Sequence, residues 1–158
     1  MPPFTALLHT HNDALRLGRA LETLFAGSEI LVVDHHSKDG TRRVAREYGA
    51  RVVEADENGE PKNYARLARH EWILCLQANE SIHEGLQASL YEWRSHASAG
   101  ARVFSMFVRE ETPQGWVRLP APETRLIPRT WDRWNGRLPA RESEAIALDG
   151  ELLRFAFA

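Results

Sequence analysis

Trp72-Ile73-Leu74-Cys75-Leu76 is an unbroken apolar run that stops abruptly at the polar turn Gln77-Ala78-Asn79-Glu80. A run of that length with no polar alternation fits a strand covered on both faces, as central strands of parallel sheets are. Ile30-Leu31-Val32-Val33 repeats the pattern and ends at Asp34-His35-His36-Ser37, and Thr5 to His9 ends at Thr10-His11-Asn12-Asp13. Between these runs the period changes. Ala14, Leu17, Leu21 and Leu24 recur at helical spacing up to Gly27, with Asn12 as the expected N-cap and Asp13 in the first turn. A second helix opens at Asp39-Gly40-Thr41 and stops at Gly49, and Arg51-Val52-Val53 begins a third strand.

This alternation implies an α/β fold: a three-layer, Rossmann-like, mainly parallel sheet with right-handed crossovers. In such sheets ligands bind outside the carboxyl ends of the strands. The three polar turns therefore converge on one cleft. Glu54 to Pro61 reads as a loop, a helix over about 62–68 leads into the Trp72 strand, and Leu86, Leu90 and Trp93 mark a further amphipathic helix. Beyond Gly100 the character changes. Arg102 to Arg109 and Trp116 to Leu119 read as strands joined by Pro113-Gln114-Gly115. Pro120, Pro122 and Pro128 then crowd a stretch followed by Trp131, Trp134 and a last apolar strand near Leu152–Phe157. A single domain is expected over 1–158, with a nucleotide-binding half at about 1–97 and an acceptor-side half at about 100–158.

The size of the chain, 158 residues, suits one domain with a real core. A formal net charge of -2 argues against nucleic acid as a partner. The single cysteine, Cys75, precludes an internal disulfide and sits inside an apolar run, where it reads as an inert small hydrophobe. No apolar run approaches the ~18–20 residues needed to cross a bilayer, and Met1-Pro2-Pro3-Phe4 lacks a signal-like core. A cytoplasmic protein that is not integral to a membrane is the expectation.

The ordered motifs resemble those of the family-2 glycosyltransferases, most of all the small lipopolysaccharide-core type. In that family a first strand ends in T-Y-N-E, and here it ends in T-H-N-D (10–13). A second ends in V-V-D-x-x-S-x-D-G-T, and Val32 to Thr41 reads V-V-D-H-H-S-K-D-G-T. A helix carrying R-N-x-A is matched by Lys62-Asn63-Tyr64-Ala65, and the L-D-A-D-E metal turn by L-Q-A-N-E (76–80). The resemblance covers about residues 5–95. It implies a nucleotide-sugar partner of uridine type and a glycan or protein acceptor, with a sugar moved from the diphosphate donor to a hydroxyl.

By the same resemblance Asp34 would accept from the N3–H of a uracil-like base. His11 would stack on the base or sugar, Thr10 and Asp13 would contact ribose, and Lys62 would meet a phosphate. Asn12, Asn63, Gln77 and Asn79 complete the expected nucleotide-binding set. Gln77 and Asn79 stand where the family has its metal-binding aspartates. Mg²⁺ and Mn²⁺ favour anionic oxygens, so no metal cofactor is expected. The family's V-H-E-like motif has its nearest counterpart in Pro139-Ala140-Arg141-Glu142, which makes Glu142 the expected base. A degenerate domain that binds a nucleotide or partner protein without catalysis is the alternative. Arg125, Arg129, Arg133, Arg137 and Arg141 recur every four residues, but Pro128, Gly136 and Pro139 interrupt any helix that would align them, so most are expected as surface charges, with one or two able to reach the cleft and stabilise a diphosphate without metal.

Overall fold

A computed structural model describes residues 4–24, 28–93 and 103–157. The chain runs β1 (Phe4–Thr10), α1 (Ala14–Leu21), β2 (Glu29–Asp34), α2 (Thr41–Glu47), β3 (Arg51–Glu54), α3 (Pro61–Ala65) and β4 (Trp72–Gln77). It continues with β5 (Glu80–Ile82), α4 (Glu84–Glu92), β6 (Phe104–Thr112), β7 (Gly115–Arg118), β8 (Glu123–Pro128), β9 (Trp134–Asn135), β10 (Leu138–Pro139) and β11 (Ile146–Arg154). Gly27, Gly100 and Arg102, singled out in the sequence, lie outside the described residues.

Among the described residues, one mixed sheet takes the order β3-β2-β1-β4-β8-β6-β11-β5, with β7 paired to β6. The β3-β2-β1-β4 portion is parallel throughout. Side chains alternate across it as the pleat requires. Ala6, Leu8, Val32, Leu74 and Leu76 pack with Leu17, Leu21, Leu86, Leu90 and Trp93 on one face. Leu7, Leu31, Val33, Ile73 and Cys75 pack with Tyr64, Ala65 and Ala68 on the other. Helices α1, α2 and α4 thus form one outer layer, and α3 with the β9–β10 hairpin the other. This is the expected three-layer α/β arrangement. Cys75 is buried, and burial pushes its thiol up to about 12, so it acts as a core hydrophobe.

The chain winds outward from β1 to β2 and β3, then returns to place β4 on the other side of β1. The gap between β1 and β4 is therefore a topological switch point, where the flanking turns splay apart and leave a crevice.

The second half departs from the expectation. The proline-rich stretch contains β8, which runs antiparallel between β4 and β6. Glu80 begins a short strand rather than ending a turn, and β5 pairs antiparallel with β11. The last strand starts at Ile146, earlier than Leu152, and carries an irregularity between Leu148 and Glu151. Gly150 occupies that irregularity at φ 105, and a Cβ there would stand 2.2 Å from the backbone nitrogen of Leu86. The close approach of α4 admits only glycine.

Asn12 is not the N-cap of α1. That position belongs to Asp13, whose carbonyl accepts the N–H groups of Arg16 and Leu17. Asn12 sits one step earlier at φ 52, a left-handed conformation that asparagine tolerates. Its Oδ1 accepts from Lys38 N–H and its own N–H donates to Ser37 Oγ, both at 2.8 Å. Asn12 knits the first two polar turns together. Helix α3 is also shorter than expected and opens with Pro61 at its first turn.

Candidate functional site

His9 on β1 is the register partner of Gln77 on β4. That pair marks the carboxyl end of the switch point. Around it lies a cavity of about 260 Å³ lined by His9, Asp13, Arg16, Leu76, Gln77, Ala78, Asn79, Arg137 and Leu138. Of the residues expected from sequence, Asp13, Gln77 and Asn79 reach its wall. His11 and Asn12 are exposed at the neighbouring turn. The His11 ring is fixed there, with Nδ1 donating to the His35 carbonyl at 2.6 Å and Nε2 facing the Asn12 amide at 3.2 Å.

Thr10 and Asp34 lie beneath the turns, both with no exposed surface. Asp34 Oδ1 accepts from Thr10 Oγ1 at 2.7 Å and Ser37 Oγ at 2.6 Å. Its Oδ2 accepts from Ser37 N–H and Arg42 Nη1, each at 3.0 Å. A carboxylate has about four lone-pair sites, and here all are engaged. Burial acts to raise the pKa of Asp34, but the Ser37, Thr10 and Arg42 hydrogen bonds outweigh it and hold the group below its ordinary value. Asp34 therefore shapes the turn from below. Lys62 and Asn63 do not line the cavity. Lys62 pairs with Glu60 at 3.4 Å, and α3 approaches the cleft through Tyr64, whose ring meets His9 edge-on.

His9 and Arg16 were not expected from the sequence, and Arg137 stood there only as one of five evenly spaced arginines. His9 Nδ1 stands 2.8 Å from His35 Nε2, while its own Nε2 is buried without a hydrogen-bond partner in the described structure. Burial, then His35, then Arg137 lower its pKa to about 3, so both rings of the pair are neutral near pH 7. Arg137 arrives on the two-residue loop Gly136-Arg137 between β9 and β10, with Gly136 at φ 64 as such tight hairpins require. The Asn135-Gly136 pair was the available sequence signal.

The Gln77–Glu80 turn is held by an ion-pair network that takes up its one carboxylate. Arg125, fully buried on β8, grips Glu80 with both guanidinium arms at 2.6 and 2.8 Å. Arg154 Nε and the Gln77 N–H also donate to the same carboxylate. Burial alone would raise the pKa of Glu80, but the charges and hydrogen bonds of Arg125, with Arg154 beside it, hold it below the usual range. Glu80 is committed to the fold. Asp13 is likewise engaged, Oδ1 by Arg16 at 2.6 Å and Oδ2 by the His11 N–H at 2.8 Å. Gln77 and Asn79 offer only neutral oxygens, and no cluster of three or more His, Cys, Asp or Glu among the described residues is placed to hold a metal ion. These residues do not fit Mg²⁺ or Mn²⁺.

A second cavity, of about 370 Å³, lies across Leu138 and is lined by Glu123, Thr124, Asn135, Leu138, Pro139 and Arg141. Glu142 lines neither cavity, but its N–H donates to Thr124 Oγ1 at 2.9 Å on the wall of the second. Both of its carboxylate oxygens lie 3.0 Å from Arg133 Nη1. No helix among the described residues is long and apolar enough to cross a membrane.

The model of the family described as Glycosyl transferase family 2 matches residues 5–142. A protein named as an uncharacterized glycosyltransferase from Rickettsia felis is 33% identical over 101 residues, covering 61% of this chain and 36% of that protein. A Rickettsia prowazekii protein named in the same way is 29% identical over 101 residues, covering 61% of this chain and 35% of its own length. The chain thus spans about a third of the length of these curated relatives. Among solved structures, S. aureus TarS superposes over 98% of this chain and 35% of its own, with TM-score 0.60 and 16% identity. A TarS fragment (1-349) in complex with UDP-GlcNAc gives 0.57 at 18% identity, over 75% of this chain and 37% of that one. Glucosyl-3-phosphoglycerate synthase from Mycobacterium tuberculosis, in complex with Mn²⁺, UDP and phosphoglyceric acid, gives 0.55 at 16% identity, over 66% and 43%. At these identities the likeness shows the fold.

Proposed function

The chain belongs to glycosyl transferase family 2, and on that premise we propose that the His9–Gln77 cleft takes a nucleoside-diphosphate sugar whose sugar passes to a hydroxyl acceptor. The observation that carries this is the register of His9 against Gln77, which sets an open cavity at the switch point of the parallel strands. The donor is of uridine type in this reading, with the base beside the fixed His11 ring and the ribose near Asp13. Thr10, Asn12 and Asp34 hold the turns that carry those contacts. Gln77 and Asn79 present amides to the diphosphate-sugar. Lys62 and Asn63, on α3, are left outside this contact set.

The acceptor occupies the second cavity. Its hydroxyl oxygen bonds to the anomeric carbon from the face opposite the diphosphate, inverting that centre. The carbon–oxygen bond to the diphosphate breaks, and its electron pair stays on the departing phosphate oxygen. The acceptor proton goes to the carboxylate of Glu142, whose backbone N–H is anchored to Thr124 Oγ1 on the cavity wall.

Calorimetric titration with UDP, GDP, CDP and their sugars tests the donor assignment. UDP and a UDP-sugar are expected to bind, with the other bases weaker. Absence of binding by every nucleotide would overturn the reading, and tighter binding of GDP would overturn the uridine assignment.

A further inference from the structure

The family-2 reading asks for positive charge where the donor diphosphate departs, and the residues that would hold a divalent cation are lacking. The cleft instead carries two arginines, Arg16 and Arg137, against one carboxylate, Asp13. Arg16 is already matched to Asp13 by a contact of 2.6 Å. Arg137 is exposed, and its guanidinium makes no hydrogen bond or ion pair among the described residues. Its charge reaches the cleft floor, since it helps to hold both His9 and His35 neutral. The net charge of this lining favours an anion over a cation.

We infer that Arg137 is the diphosphate-binding residue of this cleft, supplying from the β9–β10 loop the charge that a metal ion would otherwise bring. The inference rests on the donor reading above and deepens it. A guanidinium presents parallel N–H donors that match phosphate oxygens, and such charge-assisted pairs strengthen as negative charge accumulates on the leaving group. When the anomeric carbon–oxygen bond breaks, the departing diphosphate gains one negative charge, and Arg137 faces it across Gln77 and Asn79. The loop explains why the residue can serve both ends of the reaction. Leu138, next in sequence, is shared by the donor and acceptor cavities. Movement of one short hairpin would therefore alter both.

Titration of UDP into wild type in EDTA, and again with Mn²⁺, tests this together with Arg137→Ala and Arg137→Lys. Wild type is expected to bind UDP in EDTA with the same affinity as in Mn²⁺. Arg137→Ala is expected to weaken UDP by about ten- to a hundredfold, the cost of one charge-assisted contact. Arg137→Lys should recover part of that loss, because it keeps the charge without the fork. Melting temperatures of both variants should match wild type, since the side chain holds nothing in the fold. UDP binding that needs Mn²⁺, or unchanged binding by Arg137→Ala, would overturn the assignment and leave the donor reading standing. A binding loss accompanied by a matching fall in melting temperature would also overturn it. Failure of wild type to bind any nucleoside diphosphate would remove both.

Discussion

The β1–β4 region and the β5–β11 region are held together by different physics. The first is a parallel sheet whose interior is almost wholly apolar, with Leu7, Leu8, Leu31, Val32, Ile73 and Leu74 fully or nearly fully buried. The second places a charge network at its junction with β4: Arg125 and Glu80 are fully buried, with Glu123, Arg154 and Glu110 attached at the edge. Hydrophobic burial tolerates loss of a part, because the remaining apolar atoms still exclude water. A buried ion pair does not, because removing one partner leaves the other charged and dry. The parallel region fixes where the cleft lies, and the ionic junction fixes the shape of the turn that walls it.

The largest expected effect therefore comes from the junction. Arg125→Ala should destabilise the fold by about 3–5 kcal/mol, as removal of one member of a buried pair does. Chemical denaturation would read it as a lower midpoint at unchanged slope. A loss below ~1 kcal/mol would show that Glu80 is neutralised or solvated, and the contrast between the regions would fail. Replacing Glu80 and Arg125 together by apolar residues of similar volume should cost less than either single change. Leu31→Ala, in the parallel core, should cost about 2–5 kcal/mol through lost burial and a cavity, and should add to distant changes instead of coupling to them.

The parallel strands and the turns that close them were legible in the sequence because period and punctuation agreed: apolar runs of strand length, each closed by a polar turn and followed by a 3.6-residue repeat. Strand β8 was hidden for the opposite reason. Arg125 interrupts Glu123-Thr124-Arg125-Leu126-Ile127-Pro128 with a charge, and its partner Glu80 lies 45 residues away in sequence. No local pattern reports such a pair. Glu80 itself read as the end of a turn because β5 is only three residues long. Arg137 was visible as one of five evenly spaced arginines, yet that spacing carried no structure. Its position comes from a two-residue hairpin loop, and its guanidinium has no hydrogen bond or ion pair among the described residues.

Acid titration gives a smaller effect that is specific to the cleft. With a folded-state pKa near 3 against an ordinary 6.5, His9 binds fewer protons in the native state than in the unfolded one. Its contribution to stability is therefore complete above about pH 6.5 and is lost as pH falls towards 3. His35, also lowered, acts in the same direction. Asp34 and Glu80 are held below their ordinary values, so their contributions fade only at lower pH. Between pH 6.5 and 5, the stability of wild type should thus fall with pH, and His9→Gln should flatten that slope. An unchanged slope in the variant would place the His9–His35 pair in contact with water and open the floor of the cleft.

The smallest change in stability, and the most informative in function, is expected from Gln77→Asp with Asn79→Asp. The fold should lose no more than about 1 kcal/mol, chiefly the hydrogen bond from Asn79 to the Phe155 carbonyl at 3.2 Å. Two new carboxylates facing Arg137 should give the cleft affinity for Mn²⁺ that wild type lacks, and calorimetry with Mn²⁺ alone would read it. Equal Mn²⁺ binding by wild type and variant would mean that these two positions do not govern the charge of the cleft.

A crystal grown with UDP and Mn²⁺, with data collected at the manganese edge, reaches the central claim most directly. UDP density is expected at the carboxyl ends of β1 and β4, its diphosphate between Arg137 and the Gln77–Asn79 turn, with no anomalous peak beside it. A manganese peak bridging the two phosphates, or UDP bound away from the His9–Gln77 cleft, would contradict it.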